Sequence, residues 1–201
     1  MRMIGIFGGS FDPIHLGHQA LAEAALKEAS LDKIVFMPNH VSPFKQNTEI
    51  TSSKDRCGMI EKIVAKNSAF VLSRFEIDKK GPSYTYNTLI DLEKKIDGKL
   101  IFILGFDSVL EIDHWYKGQE ILRHFPLITG RRPGVVDDIG MGKIEFYRKK
   151  YDADIRILTM SPFECSSTDI RKRVTDGLSL DGLVSPLIEK YIKENGLYKT
   201  R

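Results

Sequence analysis

Two histidines stand three residues apart just after the first apolar run, in the stretch Gly8-Gly9-Ser10-Phe11-Asp12-Pro13-Ile14-His15-Leu16-Gly17-His18. Glycine lets a backbone approach a ligand closely, and the first turn of a helix offers free N–H groups and a positive dipole end. We expect Pro13 to open that helix, where its missing N–H costs little. Both imidazoles should then project from one side of the first turn. Together these groups predict a site for a phosphate or another oxygen-rich anion.

Other interpretations of this stretch stay open. A glycine pair after a strand is also typical of a plain turn, and paired histidines bind metals in many proteins. No third ligand with clear metal-site spacing is visible. The Gly-x-Gly-x-x-Gly fingerprint of dinucleotide-binding folds is absent, as is the Gly-Lys-Ser/Thr of the P-loop. A hydride-transfer enzyme and a P-loop ATPase are therefore disfavoured.

A second candidate anion site lies far along the chain, in Ser166-Ser167-Thr168-Asp169-Ile170-Arg171. Serine and threonine are favoured caps of helix N-termini. A new helix N-terminus with Arg171 beside it can bind phosphate through charge-assisted hydrogen bonds. The alternative is an ordinary helix cap followed by a surface arginine.

Apolar runs of strand length alternate with segments of helical periodicity. We predict strands over residues 3–7, 33–37, 70–77, 100–104, 126–129 and 155–160, and helices over 13–30, 52–66, 84–96, 141–151 and about 184–192. This alternation predicts an α/β fold with a doubly wound parallel sheet and a small C-terminal helical portion at about 166–201. Such folds bind ligands outside the carboxyl ends of their strands.

The composition is that of an ordinary globular protein, with 201 residues, 42% hydrophobic residues, 28% charged residues and a net charge of +3. The length predicts one domain over residues 1–201. No apolar run is long enough to cross a membrane, and the small basic excess does not indicate nucleic-acid binding. The two cysteines, Cys57 and Cys165, form no disulfide framework. A cytoplasmic location follows as the expectation, and a homo-oligomer remains an allowed arrangement.

The residues that follow the first strand carry a specific resemblance. Gly9-Ser10-Phe11-Asp12-Pro13-x-His15-x-Gly17-His18 resembles the signature of the nucleotidylyltransferase superfamily, whose HxGH motif holds the phosphates of a nucleotide triphosphate. The stretch that ends at Arg171 is similar to the ISSTxIR motif of the same superfamily, with Cys165 where isoleucine usually opens it. The resemblance implies a Rossmann-like nucleotidylyltransferase fold.

Within that superfamily, the chain looks most like the bacterial nicotinate-nucleotide adenylyltransferases, nearly from end to end. The resemblance implies adenylyl transfer from ATP to nicotinate mononucleotide, giving deamido-NAD and pyrophosphate, with Mg²⁺ accompanying the ATP. It implies three catalytic residues, namely His15, His18 and Arg171. The implied ATP-binding residues are Gly8, Gly9, Ser10, Phe11, His18, Gly105, Asp107, Ser167, Thr168 and Arg171. The implied mononucleotide-binding residues are Asn39, Lys45, Ser83, Tyr84, Thr85, Trp115, Tyr116 and Arg132.

Several alternatives remain at this point. From the residues alone, Trp115 is also a candidate core aromatic, Asp107 a candidate helix cap, and Lys45 a solvated loop residue. Phe44 stands where family members commonly carry a histidine. Rival functions are nicotinamide-mononucleotide adenylyltransferase, phosphopantetheine adenylyltransferase, and a non-catalytic nucleotide-binding protein. Phosphopantetheine adenylyltransferases typically carry threonine where His15 stands.

Overall fold

The computed structural model describes residues 1–40, 50–79, 81–130, 138–158 and 166–199. Its strands are β1 (Met3–Gly9), β2 (Lys33–Pro38), β3 (Phe70–Leu72), β4 (Lys99–Gly105), β5 (Leu127–Gly130) and β6 (Ile155–Leu158). Its helices are α1 (Leu16–Glu28), α2 (Ser53–Val64), α3 (Phe75–Lys79), α4 (Thr85–Glu93), α5 (Phe106–Leu110), α6 (Gly118–His124), α7 (Asp138–Tyr151), α8 (Ser167–Thr175) and α9 (Pro186–Glu194). A short 3-10 helix, Ile112–His114, follows α5.

The six strands form one parallel sheet in the order β3-β2-β1-β4-β5-β6. The order of the strands reverses between β1 and β4, and this is the point at which open α/β sheets form a ligand crevice. The prediction of a doubly wound parallel α/β fold is confirmed. No described helix has the length and apolar character that a membrane span requires.

Each face of the sheet is covered by its own apolar core. Phe7, Phe36 and Ile103 point to one face and pack with residues of α1, α2, α8 and α9. Ile6 and Phe102 point to the other face and pack with residues of α4, α5, α6 and α7. Strands that are buried on both sides read as continuous apolar runs, which explains why the sequence predicted them well.

Two predicted elements differ from the structure. The predicted strand over 70–77 ends at Leu72, and α3 follows it, because Ser73 accepts a hydrogen bond from the N–H of Phe75 and turns the chain. Pro13 does not open α1, which begins at Leu16 after His15 as its cap. The predicted end of β6 at residues 159–160 lies outside the described residues.

Candidate functional site

The loop after β1 brings the two histidines into contact. His15 is the N-cap of α1, and His18 is its third residue. The N–H of His18 donates to Nδ1 of His15 at 3.4 Å, and the N–H of His15 donates to Nδ1 of His18 at 3.2 Å. The ring centroids are 3.7 Å apart. Because each Nδ1 accepts a backbone proton, the neutral rings carry their proton on Nε2, which suits donation to a phosphate oxygen.

Two phenylalanine rings pack against the ring of His18. The centroids of Phe7 and Phe11 lie 5.8 and 5.0 Å from that of His18. Phe11 is only 1% exposed, so it contributes packing to the predicted ATP site. A side chain at Gly9 would approach the Phe11 ring to 3.3 Å, so glycine also serves close packing at this position. Gly8 and Gly9 are the last two residues of β1 and Ser10 follows them, so all three lie at the carboxyl edge of the sheet.

The second motif forms α8, and α8 docks onto the loop that carries the histidines. Ser166 caps α8 and accepts a hydrogen bond from the N–H of Asp169. The hydroxyl of Ser167 donates to the carbonyl of Pro13 at 2.9 Å. Arg171 donates to the carbonyl of Asp12 at 2.8 Å and to the Thr168 hydroxyl at 3.2 Å. The fold therefore places two candidate anion sites side by side, although about 150 residues separate them in sequence.

The exit of β4 adds two of the predicted ATP-binding residues. Gly105 is the N-cap of α5, and Asp107 lies exposed in its first turn. Because β4 pairs with β1 in parallel, this exit lies beside the histidine loop at the point where the strand order reverses. These two residues therefore lie on the same edge of the sheet as the histidines.

Most of the predicted mononucleotide-binding residues belong to loops on that edge. Asn39 follows β2, and its N–H donates to the carbonyl of Gly9 at 3.0 Å. Ser83 accepts a hydrogen bond from the N–H of His40 at 3.1 Å. Tyr84 is the N-cap of α4 and Thr85 its first residue. Lys45 and Arg132, like Phe44, lie outside the described residues.

Aromatic residues flank the start of α4. The rings of Tyr84 and Tyr116 are 4.9 Å apart, and both residues are exposed. Trp115 is partly buried and meets Phe102 edge-on, with 6.4 Å between the ring centroids. Trp115 therefore packs in part against the core, and Tyr84 and Tyr116 lie against each other beside α4.

Glu76, which the sequence analysis did not single out, lies behind the start of α4. The Thr88 hydroxyl donates to Glu76 Oε1 at 2.7 Å. Burial raises the pKa of Glu76, although hydrogen bonds from Thr88 and Ser83 counteract part of that increase. A pocket at this position is lined by Glu76, Lys79, Pro82, Ser83, Tyr84, Asn87 and Thr88. The carboxyl of Glu76 thus connects α3 to α4 through Thr88 and to the preceding loop through Ser83.

The raised pKa of Glu76 predicts a specific pH dependence of stability. The native state holds this proton more tightly than the unfolded state, so Glu76 stabilises the fold at low pH. That contribution is lost as the pH rises from the ordinary glutamate pKa through the raised native pKa. We expect Glu76→Gln to flatten the decline in unfolding free energy over this window. Urea unfolding between pH 4 and 7 measures it, and an unchanged pH profile in the variant would refute the assignment.

Arg56 is a second residue that the sequence analysis missed, although it is fully buried. Its guanidinium donates to the carbonyls of Ser10 and Asn39, both at 2.8 Å, and of Thr51 at 3.0 Å. Those carbonyls belong to the loop after β1, the loop after β2 and the approach to α2. One guanidinium therefore fixes the loops of the predicted ATP and mononucleotide sites relative to each other. The signal was present, because Arg56 shares helical spacing with the apolar residues Ile60 and Ile63.

A protein-family model described as cytidylyltransferase-like matches residues 6–173 of the chain, which include the histidine loop and Arg171.

Relatives of the chain carry consistent names. A protein of Clostridium botulinum (strain Alaska E43 / Type E3), named probable nicotinate-nucleotide adenylyltransferase, is 42% identical over 199 residues, and the match covers 99% of each chain. The nicotinate-nucleotide adenylyltransferase of Bacillus subtilis (strain 168) is 36% identical over 201 residues, which span all of both chains.

Among solved structures, a similar fold occurs in nicotinic acid mononucleotide adenylyltransferase of Plasmodium falciparum complexed with NaAD. The TM-score is 0.81, and the match covers 98% of each chain. The sequence identity is 21%, so this likeness concerns the fold alone.

Proposed function

The chain belongs to the cytidylyltransferase-like family, and within it to the nicotinate-nucleotide adenylyltransferases, and from that premise we propose its reaction. It transfers the adenylyl group of ATP to nicotinate mononucleotide, and the products are deamido-NAD and pyrophosphate. The observation that carries this proposal is the meeting of the two motifs, with the histidine pair on one side and α8 docked through Ser167 and Arg171 on the other. Two adjoining anion sites suit a triphosphate better than a single phosphate.

The reaction proceeds by direct in-line attack. A phosphate oxygen of nicotinate mononucleotide forms a bond to the α-phosphorus of ATP. The bond from that phosphorus to the oxygen bridging to the β-phosphate breaks, and pyrophosphate leaves with both electrons. Because the nucleophile is already an anion, no general base and no covalent intermediate are required. The protein supplies alignment and neutralisation of the charge that spreads over the transferred group.

Three side chains and two helix N-termini provide that neutralisation. His15 and His18 donate through Nε2 to oxygens of the triphosphate, and Arg171 adds a fixed positive charge. The starts of α1 and α8 direct backbone N–H groups and positive dipole ends toward the same region. Gly8, Gly9 and Ser10 let the phosphates approach the backbone, and Ser167 and Thr168 complete the second motif. Gly105 and Asp107 receive the adenosine, with the carboxylate accepting hydrogen bonds from ribose or base.

Mg²⁺ accompanies the ATP and supplies additional neutralisation of the triphosphate. Among the residues that the structure describes, no group of three or more His, Cys, Asp or Glu is placed to hold a metal ion. Mg²⁺ commonly keeps several of its waters and takes phosphate oxygens as ligands, so it can bind here with the triphosphate and without such a group of side chains.

The start of α4 forms the mononucleotide side of the site. The free N–H groups of its first turn receive the nicotinate carboxylate, with Ser83, Tyr84 and Thr85 lining that position. Trp115 stacks on the pyridine ring, and its edge-on contact with Phe102 helps to position it. The remaining residues of this site are Asn39, Lys45, Tyr116 and Arg132. We further propose that residues 1–201 act as one domain in the cytoplasm, without nucleic-acid or membrane partners.

The test of the reaction is a comparison of acceptors. The chain is incubated with ATP and Mg²⁺ and, in separate reactions, nicotinate mononucleotide, nicotinamide mononucleotide or phosphopantetheine at equal concentration. We expect pyrophosphate release to be fastest with nicotinate mononucleotide, because helix N–H groups bind a carboxylate better than an amide. Deamido-NAD must appear in equal amount by chromatography. No signal with any acceptor would favour a non-catalytic binding protein, and a signal with phosphopantetheine alone would move the chain to coenzyme A synthesis.

A further inference from the structure

The chain segment after α9 reaches back to the loop that carries the histidines. The Tyr198 hydroxyl donates to Asp12 Oδ1 at 2.7 Å, across 186 residues of sequence. Asp12 is 3% exposed, and its other carboxylate oxygen accepts the N–H of Thr51 at 3.2 Å. Burial and the negative charge of Asp12 raise the pKa of Tyr198, so the phenol stays protonated and acts as the donor. Nothing in the proposed reaction uses this contact directly.

Asp12 is shared between Tyr198 and the proposed catalytic arginine. Its main-chain carbonyl accepts from Arg171, and its carboxylate accepts from Tyr198. The carbonyl of Tyr198 in turn accepts from the hydroxyl of Thr175 at 2.9 Å. Thr175 and Arg171 belong to the same helix, α8. The contacts therefore form a closed ring that runs from α8 to the histidine loop, then to Tyr198, and back to α8.

Two residues in or beside this ring have an unfavourable backbone conformation. Phe11 has φ of 49° and Tyr198 has φ of 64°, and neither is glycine. Bulky residues rarely adopt positive φ, and such strain persists only where surrounding contacts hold it in place. Phe11 directly precedes Asp12, so the contacts of Asp12 hold the strained part of the loop. Strain of this kind clusters at functional sites, where it preorganises the groups involved.

We propose that Tyr198 is a positioning residue for the triphosphate site: through Asp12 it holds the loop and Arg171 in the arrangement that neutralises the transferring phosphoryl group. The role rests on the proposed function, since it presumes that the triphosphate binds at this loop. In this role Tyr198 acts on the site through Asp12 rather than on the substrate itself. Its effect is confined to the angle and rigidity with which Asp12 presents its carbonyl to Arg171.

The chain supplies a matched control for this role. Tyr191 lies on α9, and its hydroxyl also donates to an aspartate, Asp55 Oδ1, at 3.2 Å. Asp55 belongs to the first turn of α2 and accepts from Ser52 rather than from the histidine loop. Tyr191→Phe and Tyr198→Phe therefore each remove one oxygen and one hydrogen bond to a carboxylate. Only the second change reaches the proposed site.

The experiment measures steady-state kinetics and thermal unfolding of both variants. We expect Tyr198→Phe to lower kcat about tenfold, with KM for nicotinate mononucleotide within about twofold of wild type and the fold intact. We expect Tyr191→Phe to keep kcat within about twofold. A purely structural role would lower the unfolding temperature of both variants and leave kcat near wild type. Equal kcat values for the two variants at a temperature where both are folded would overturn the proposal.

A double-mutant cycle keeps the test decisive where a single variant is hard to interpret. If Tyr198 acts through Asp12, then Tyr198→Phe has little further effect on kcat in an Asp12→Ala background, which removes the acceptor of the Tyr198 hydroxyl. Independent effects that multiply would contradict the proposal. Failure of the proposed function is recognised separately, because wild type would then form no deamido-NAD. In that case the affinity of a non-hydrolysable ATP analogue replaces kcat as the readout, and equal affinity in the two tyrosine variants refutes the positioning role.

Discussion

Replacing His18 with alanine lowers kcat by roughly two to three orders of magnitude, while KM for nicotinate mononucleotide changes little. The expectation rests on the removal of one preorganised donor to developing negative charge, which typically costs about 2.7–4 kcal/mol in the barrier. The ring of His18 is fixed in position, because Phe7 and Phe11 pack against it and its Nδ1 accepts a hydrogen bond from the N–H of His15. The measurement is the steady-state rate of deamido-NAD formation at saturating ATP and varied nicotinate mononucleotide.

Two further variants separate catalysis from helix capping. Loss of an N-terminal capping interaction costs about 0.5–2 kcal/mol of stability, so alanine at this position also weakens the start of α1. His18→Asn keeps a side-chain acceptor for the N–H of His15 but removes the imidazole, and we expect it to be more stable than the alanine variant and similarly slow. His124→Ala removes an exposed histidine that pairs with Glu93, and it should leave kcat unchanged. Near-normal kcat in His18→Ala would show that the assigned role is wrong.

Replacing Arg56 with methionine destabilises the fold by about 3–5 kcal/mol, because each carbonyl that is left without its donor costs about 1–3 kcal/mol. The carbonyls of Ser10 and Asn39 lose their donor, and the buried carboxylate of Asp12 loses a nearby positive charge. For a chain of this length, such a loss lowers the melting temperature by roughly 6–20 °C. Calorimetry measures it directly.

The control for Arg56 is an arginine in an exposed ion pair. Arg74 lies 3.5 Å from Asp78 on the surface, and the side chains of the pair are 50% and 65% exposed. Such pairs contribute about 0–1 kcal/mol, so Arg74→Met should shift the melting temperature by only a few degrees. Arg56→Lys keeps the charge but places its donors on a single nitrogen, which cannot reach all of the carbonyls that the guanidinium fork contacts, and we expect an intermediate loss of stability. Equal shifts for Arg56→Met and Arg74→Met would contradict the role of Arg56 in joining the two loops.

The sequence predicted the sheet well because its strands are buried on both faces. Runs such as Leu100-Ile101-Phe102-Ile103-Leu104 stand out without any tertiary information. The short helices α5 and α6 were not predicted, since each has fewer than eight residues and too little periodicity to detect. The strand over 70–77 was predicted too long, because a single serine hydrogen bond decides where β3 gives way to α3.

The candidate site was likewise predicted only in part from the sequence. The two motifs were visible because all the residues of each motif lie at fixed spacing within one short segment of the sequence. The sequence did not predict that His15 would be a cap outside the helix, because ring-to-backbone hydrogen bonds decide that position. Arg56, Glu76 and Tyr198 were not selected because only the folded chain brings them to Ser10, Thr88 and Asp12, which lie 46, 12 and 186 residues away from them respectively.

We propose above all that the triphosphate of ATP binds between the paired imidazoles and the start of α8. The direct measurement is a crystal structure with a non-hydrolysable ATP analogue, Mg²⁺ and nicotinate mononucleotide. We expect phosphate oxygens of the ATP analogue within hydrogen-bond distance of Nε2 of His15 and His18 and of the start of α8. We expect nicotinate mononucleotide at the start of α4. Phosphates bound elsewhere, with no density beside the paired imidazoles, would contradict it.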